Sequence, residues 1–134
     1  MSSVGPSSAS FPCNPGSSRI AARELPGLDG GAATGAELSG PSGATVDGSG
    51  NLVITDTGNN RIRVVAETTG TFYGQAMTAG DIYTVAGNGT AGFAGDGGPA
   101  TGAELSRPEA AITDPAGDVL ISDSGNGRIR EVAG

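Results

Sequence analysis

Residues 29–66 read DGGAATGAELSGPSGATVDGSGNLVITDTGNNRIRVVA, and residues 96–133 read DGGPATGAELSRPEAAITDPAGDVLISDSGNGRIREVA. The two stretches align without a gap at a constant offset of 67 residues, and 23 of the 38 aligned positions are identical. A fixed period of this size is typical of repeat architectures, in which one unit cannot bury its apolar face alone. The sequence therefore predicts two copies of one structural unit that are stabilised by stacking.

Each copy alternates short apolar runs with clusters of turn-forming residues, which indicates antiparallel strands. Seven strands are predicted, at residues 43–46, 52–55, 61–65, 82–86, 110–113, 119–122 and 128–132. A Gly-rich excursion, 67–80, separates the third strand from the fourth. The second copy reaches Gly134 without a counterpart of the fourth strand. We therefore predict one complete four-stranded unit and a second unit that lacks its last strand.

Composition and repeat together predict four segments along the chain. They are a flexible lead-in rich in Ser, Pro and Gly at 1–18, a candidate degenerate strand at 19–28, a first unit with its linker at 29–93, and a second, incomplete unit at 94–134.

The net charge is -7, with 14 acidic against 7 basic side chains. Such a balance argues against a nucleic-acid partner, which needs a basic surface, and against electrostatic attachment to a membrane. No signal peptide or membrane-length apolar run is visible, so the compartment cannot be inferred from targeting motifs. Cys13 has no second cysteine to pair with, and the chain contains no His. We therefore expect no cofactor, no metal and no catalytic residue.

The repeated unit resembles the NHL repeat of β-propellers. The resemblance rests on DTGNNRIRVV at 56–65 with its second copy DSGNGRIREV at 123–132, and on the turns that precede them. These turns carry Asp47, Gly50 and Asn51 in the first copy and Asp114, Gly117 and Asp118 in the second. The segment VAGNGTAGFAGDGGPATGAELS at 85–106 is similar to the linker between blades in bacterial NHL proteins and teneurin-type NHL domains. The resemblance implies an all-β partial β-propeller of about two blades, where propellers of this family commonly have six around a central channel.

By analogy with the family, the function is that of a non-enzymatic scaffold that binds a protein or a small ligand at its loop faces. A fragment of a propeller lyase or hydrolase is the alternative, as is a structural spacer of a large secreted protein. The resemblance also suggests a secreted or cell-surface parent. Two blades cannot close a ring, so either the chain belongs to a longer array, or three copies associate into a six-bladed ring. Residues 19–25 are a candidate outer strand for such closure.

The candidate binding residues lie in two loops. Asp56, Asn59 and Asn60 form the turn after the second strand, and Phe72 and Tyr73 lie in the excursion 67–80. An aromatic pair on a loop is typical of recognition surfaces, although covering the blade edge is an equal alternative. Asp56, and its counterpart Asp123, also fit a structural role, because an Asp beside a turn accepts backbone N–H groups.

Two further patterns have both a structural and a binding interpretation. The arginines at 61, 63, 128 and 130 could hold an anion, but the spacing favours pairs of Arg61 with Asp56 and of Arg128 with Asp123 across the turns. The residues Asp47, Ser49 and Asn51 weakly resemble a calcium loop. They lack the distal Glu of that motif, so turn chemistry is the favoured interpretation.

Overall fold

The computed structural model describes residues 31–33 and 38–134, and its regular structure is all-β. Its strands are β1 (Gly43–Val46), β2 (Leu52–Asp56), β3 (Arg61–Val65), β4 (Gly70–Phe72), β5 (Gln75–Met77), β6 (Ile82–Ala86), β7 (Ala110–Thr113), β8 (Val119–Asp123) and β9 (Arg128–Val132). All seven predicted strands are present, and β2 and β8 extend one residue further than expected. The expectations for 1–18 and 19–28 lie outside the described residues.

The strands form two main sheets that follow the sequence repeat. The first sheet has the order β1-β2-β3-β6, and the second has the order β7-β8-β9. All neighbouring strands are antiparallel, with Val53 opposite Val64 in the first sheet and Leu120 opposite Glu131 at the equivalent place in the second. Within the described residues the second sheet has no strand equivalent to β6, as predicted.

The turns between the first two strands of each sheet are fixed by an aspartate. Asp47 Oδ1 accepts the backbone N–H groups of Ser49 and Asn51, each at 2.9 Å. Asp114 Oδ1 accepts those of Ala116 and Asp118 at the same distances. An aspartate that takes two backbone donors closes the turn without any bound ion. The structure thus agrees with turn chemistry at 47–51.

The excursion 67–80 contains a β-hairpin that the sequence did not indicate. β4 and β5 pair through Thr71 and Ala76, and the two residues between them, Tyr73 and Gly74, have φ angles of 53° and 75°. Positive φ at both central positions is the geometry of a two-residue hairpin turn, for which Asn-Gly is the usual sequence signal. Tyr at the first position conceals that signal, and for this reason the sequence predicts only a loop here.

The second sheet packs face to face on the first, with the linker 87–106 contributing between them. One core cluster spans both sheets, and its buried members are Val53, Ile62, Val64, Ala66, Met77, Val85, Ala86, Leu105, Ala111, Val119 and Ile121. A second cluster covers the opposite face of the first sheet and consists of Ala33, Leu38, Ile54, Val65 and Ile82, with Leu52 packed against it. The first sheet is therefore covered on both faces.

The first strands of the two sheets lie side by side, and residues next to the strands form hydrogen bonds between the two sheets. The Thr57 hydroxyl donates to the carbonyl of Pro108 at 2.6 Å, and the Ser42 hydroxyl donates to the carbonyl of Glu109 at 2.8 Å. Stacked antiparallel sheets whose first strands adjoin are neighbouring blades of a β-propeller. The chain is an all-β partial propeller, and within residues 31–33 and 38–134 it forms two blades, the second without a counterpart of β6.

Candidate functional site

Asp56 lies at the end of β2 and is wholly buried. Its carboxylate accepts the backbone N–H of Ser39 at 2.8 Å and the side-chain amide of Asn59 at 2.8 Å, and it lies 3.5 Å from Nη1 of Arg63. In the second blade Asp123 receives the N–H of Ser106, the amide of Asn126 and Nη1 of Arg130, at 2.7, 2.7 and 3.1 Å. The same network in both blades gives Asp56 and Asn59 a structural role.

The expected pairs of Arg61 with Asp56 and of Arg128 with Asp123 are wrong. The buried carboxylates pair with the arginines two positions further on, Arg63 and Arg130. Arg63 is wholly buried, so it needs a nearby carboxylate more than the half-buried Arg61 does. Arg61 instead donates to the carbonyl of Asn88 in the linker at 3.2 Å.

Arg128 and Arg130 both lie against the linker, although they do so differently. The guanidinium of Arg128 lies over the ring of Phe93, 3.9 Å from its centroid, as in a cation–π contact. Arg130 donates to Asp96 at 2.7 Å and to the carbonyl of Glu104. Burial lowers the pKa of Arg130, but its hydrogen bonds to Asp96 and Asp123 outweigh burial and raise it. Asp96 thus serves as the partner of an arginine.

Asn60 connects the two blades. It adopts a left-handed conformation, with φ of 54°, and its side-chain oxygen accepts the backbone N–H of Arg107 at 2.8 Å. The preceding residues, Thr57–Asn59, form a short 3₁₀ turn. Asn tolerates this conformation better than most residues, so the turn at 56–60 is shaped by the sequence to reach the next blade.

Phe72 and Tyr73 lie at the opposite end of the first blade from Asp56. Phe72 is half-buried against the main core cluster, and the Tyr73 hydroxyl donates to Oδ2 of Asp47 at 2.6 Å. The tip 71–73 and the turns 47–49 and 114–117 together line a cleft of about 420 Å³. The predicted residues therefore form two separate groups, of which the aromatic pair borders this cleft.

The contact between Tyr73 and Asp47 predicts a change of stability at alkaline pH. Burial, then the hydrogen bond to Asp47 and its negative charge, raise the pKa of Tyr73 above its ordinary 10.0. Above pH 10 the unfolded chain releases this proton while the folded chain retains it, so the free energy of unfolding falls as the pH rises.

Tyr73→Phe should cost about 1–1.5 kcal/mol at neutral pH, because a hydrogen bond to a carboxylate is lost. Its free energy of unfolding should also fall less steeply between pH 10 and pH 11 than that of the unaltered chain. Urea denaturation at pH 7, 10 and 11 measures both effects. If the free energy of unfolding fell equally in the two proteins between pH 10 and pH 11, the hydrogen bond between Tyr73 and Asp47 would be contradicted.

One acidic group was not predicted from the sequence. Carboxylate oxygens of Asp114, Asp118 and Glu131 lie within 4.8 Å of one another. In the first blade the counterpart of Asp118 is Asn51, whose amide donates to Asp47 at 3.1 Å. The counterpart of Glu131 is Val64, which is wholly buried. Comparing the two copies position by position would have revealed this gain of negative charge.

The outer face of the second blade, formed by Ile112, Leu120 and Ile129, is an open apolar surface among the described residues. Ile112 is 59% exposed and Ile129 is 69% exposed, and the face contains an apolar groove of about 220 Å³. In the first blade Val53 and Ile62 are the counterparts of Leu120 and Ile129, and both are wholly buried beneath the second blade. The outer face is thus equivalent to a surface that another blade already covers.

The fold and these surfaces define a segment of a β-propeller built by repetition of one blade. The family model for the NHL repeat matches residues 38–65, which include β1, β2 and β3 of the first blade. The chain therefore carries an NHL repeat at residues 38–65, which confirms the family resemblance for the first copy. A search of the curated proteins gave no significant match. No helix within 31–33 and 38–134 has the length and apolarity needed to cross a membrane.

Proposed function

We propose that the chain is a non-enzymatic scaffold segment of an NHL-type propeller, and that it binds a further NHL blade through its outer face. The observation that carries this proposal is the exposure of Ile129, whose counterpart Ile62 is wholly buried by the next blade. Burying one isoleucine side chain stabilises a contact by about 1.5–3 kcal/mol. An open face of this kind in a repeat array is a surface for another unit.

A second copy of the chain offers a matching surface. Leu105, Val119 and Ile121 are the larger buried residues of the second blade and its linker that cover the first blade, together with Ala111. Their counterparts in the first copy are Leu38, Leu52 and Ile54, which form one cluster. The second blade covers the first blade with Leu105, Val119 and Ile121. The first blade of a second copy could cover the outer face in the same way with Leu38, Leu52 and Ile54. In a six-bladed ring, three chains would close by this contact.

The way the recurrent carboxylates are used supports a scaffold over an enzyme. Asp47 and Asp114 accept backbone N–H groups in turns, and Asp56 and Asp123 do so beside buried arginines. These four carboxylates are used as hydrogen-bond acceptors that hold the backbone in place. The cleft beside Tyr73 supports binding of a protein or small ligand at the loop face, which is the natural partner site of the assembled ring. The family resemblance also supports a secreted or cell-surface parent.

The substitution Ile129→Arg tests the outer face directly. We expect it to weaken self-association at least tenfold at each contact, because it replaces a buried apolar side chain by a charge. Sedimentation equilibrium over a range of concentrations measures the effect. Thr90→Arg adds the same charge at an exposed linker position and should assemble as the unaltered chain does. Equal association of the Ile129→Arg and Thr90→Arg variants would contradict the proposal.

A further inference from the structure

The charge of Arg61 is used differently from that of the other arginines in β3 and β9. Among the described residues, Arg63 and Arg130 pair with carboxylates, and Arg128 lies over an aromatic ring. Arg61 is half-buried and has neither kind of partner. Its guanidinium donates through Nη2 to the carbonyl of Asn88 at 3.2 Å, which satisfies one of its five N–H donors. Most of its donors and its charge thus remain for a ligand.

Arg61 lines an open pocket of about 290 Å³ at the end of the first blade where β3 begins and β6 ends. Gln75, Thr84, Asn88 and Thr101 contribute the other side chains of this pocket. Each of them carries an N–H or O–H group that can donate a hydrogen bond. No lining residue carries a carboxylate. The pocket therefore combines one positive charge with neutral donors, which is the composition of an anion site.

The nearest carboxylate in the strand pairing does not neutralise Arg61. Asp56 is opposite Arg61 in the register of β2 and β3, but its carboxylate is wholly buried beside Arg63. It also accepts the backbone N–H of Ser39 and the amide of Asn59. The negative charge of Asp56 is thus balanced by a different arginine.

Two buried polar atoms on residues of this pocket have no hydrogen-bond partner within residues 31–33 and 38–134. They are Nε of Arg61 and the hydroxyl oxygen of Thr84, and the side chain of Thr84 belongs to a residue that is only 8% exposed. A buried donor without an acceptor is costly, and in native proteins such groups are usually satisfied by the protein, by water or by an ion. Their occurrence on two residues of one pocket points to a bound acceptor.

The neighbouring segments hold these groups in place. Gly89 has a φ angle of 90°, and a Cβ atom there would lie 2.8 Å from Nη2 of Arg61. The linker can therefore pass directly beside the guanidinium only because residue 89 has no side chain. On the other side, the amide of Gln75 donates to the carbonyl of Thr84 at 2.7 Å. Groups that are fixed before binding lower the entropic cost of binding a ligand.

We propose that this pocket, which we call the Arg61 pocket, binds a small oxyanion, the phosphate or carboxylate group of a small molecule. Arg61 supplies the positive charge and Thr84 supplies a hydroxyl donor, with Asn88 and Thr101 at the rim. A planar guanidinium matches the geometry of both kinds of oxyanion. The pocket shares no residue with the outer face or with the cleft beside Tyr73, so the site goes beyond the scaffold proposal.

The first test is a calorimetric titration of the full chain with inorganic phosphate and, separately, with acetate, at constant pH and ionic strength. At least one of the two anions should bind saturably. Arg61→Met should weaken this binding about tenfold or more, because a charged donor is lost. Arg128→Met removes the same charge at the equivalent position of the second blade and should bind as the unaltered chain does. Tighter binding of phosphate would identify a phosphate site, and tighter binding of acetate would identify a carboxylate site.

Thr84→Val separates the site from the stability of the fold. Valine has nearly the shape of threonine but lacks the hydroxyl, which has no partner among the described residues. The variant should therefore unfold at the same urea concentration as the unaltered chain when no phosphate or acetate is present. Its affinity for the anion should nevertheless fall about three- to tenfold, because one neutral hydrogen bond is lost.

Three results would each overturn the proposal. They are the absence of saturable binding of both anions, an equal loss of affinity in Arg61→Met and Arg128→Met, and full affinity in Thr84→Val. The second result would mean that the anion responds to the net charge of the protein rather than to the Arg61 pocket. Because Ile129→Arg changes the outer face alone, this variant should bind the anion normally, whatever its effect on self-association.

Discussion

Replacing Asp56 by alanine is expected to lower the free energy of unfolding by about 3–5 kcal/mol, a large part of the stability of an ordinary domain. The carboxylate is wholly buried and holds the Ser39 N–H, the Asn59 amide and the Arg63 guanidinium. The substitution removes the acceptor of the Ser39 N–H and the Asn59 amide, and it removes the buried carboxylate beside Arg63. Urea denaturation followed by circular dichroism measures the loss.

Asp96→Ala is the matched control for Asp56→Ala. Asp96 also pairs with an arginine, Arg130, at 2.7 Å, but its side chain is 67% exposed. Arg130 retains its contact with Asp123 when Asp96 is removed. Exposed pairs of this kind contribute about 0–1 kcal/mol, so Asp96→Ala should unfold close to the unaltered chain. If both variants lost a similar free energy of unfolding, burial of Asp56 would not determine how much this residue contributes to stability.

Gly58→Ala is expected to lower the free energy of unfolding by about 2–3 kcal/mol, within the range of about 1–3 kcal/mol that overpacking typically costs. A Cβ atom at Gly58 would lie 2.4 Å from both the carbonyl oxygen and the hydroxyl oxygen of Ser39, and the Gly58 N–H donates to that carbonyl at 2.7 Å. The backbone would have to move and strain this contact. Gly125 meets Ser106 at the same distances in the second blade, so the effect should recur there.

Gly48→Ala provides the comparison, because a Cβ atom at Gly48 has no neighbour within 4 Å. Its φ angle lies outside the positive range, so alanine should be neutral or slightly stabilising through its effect on the unfolded state. Thermal denaturation of both variants under identical conditions decides the matter. A loss for Gly48→Ala as large as that for Gly58→Ala would contradict the close approach of Gly58 to Ser39.

The strands β1, β2 and β3 were predictable because their pattern recurs in β7, β8 and β9. Alternating apolar residues such as Val53 and Ile121 and the Asp-bearing turns define the same pattern at a fixed offset. The hairpin of β4 and β5 occurs once in the described chain, and its turn uses Tyr73 where the usual signal is Asn. Without a second copy or a familiar turn sequence, it could not be distinguished from a loop.

The site was less predictable because it depends on distances that strand spacing does not determine. Arg61 and Arg63 are both close to Asp56 along the hairpin. Their roles differ because Arg63 is wholly buried beside Asp56, whereas Arg61 reaches the linker carbonyl of Asn88. The outer face was missed for a different reason. Ile112 and Ile129 lie in predicted strands, whose residues were not divided between a buried and an open face, and the structure shows that both side chains are exposed.

The molar mass of the purified chain, measured by light scattering after gel filtration, tests the central claim most directly. A circular dichroism spectrum of the same fraction establishes that the material is folded β structure. Association through the outer face predicts a discrete species of three times the 12.9 kDa chain mass, in which six blades close one ring. A folded species that keeps the mass of a single chain at all concentrations would contradict the claim, because the face of Ile129 would then remain open without a partner.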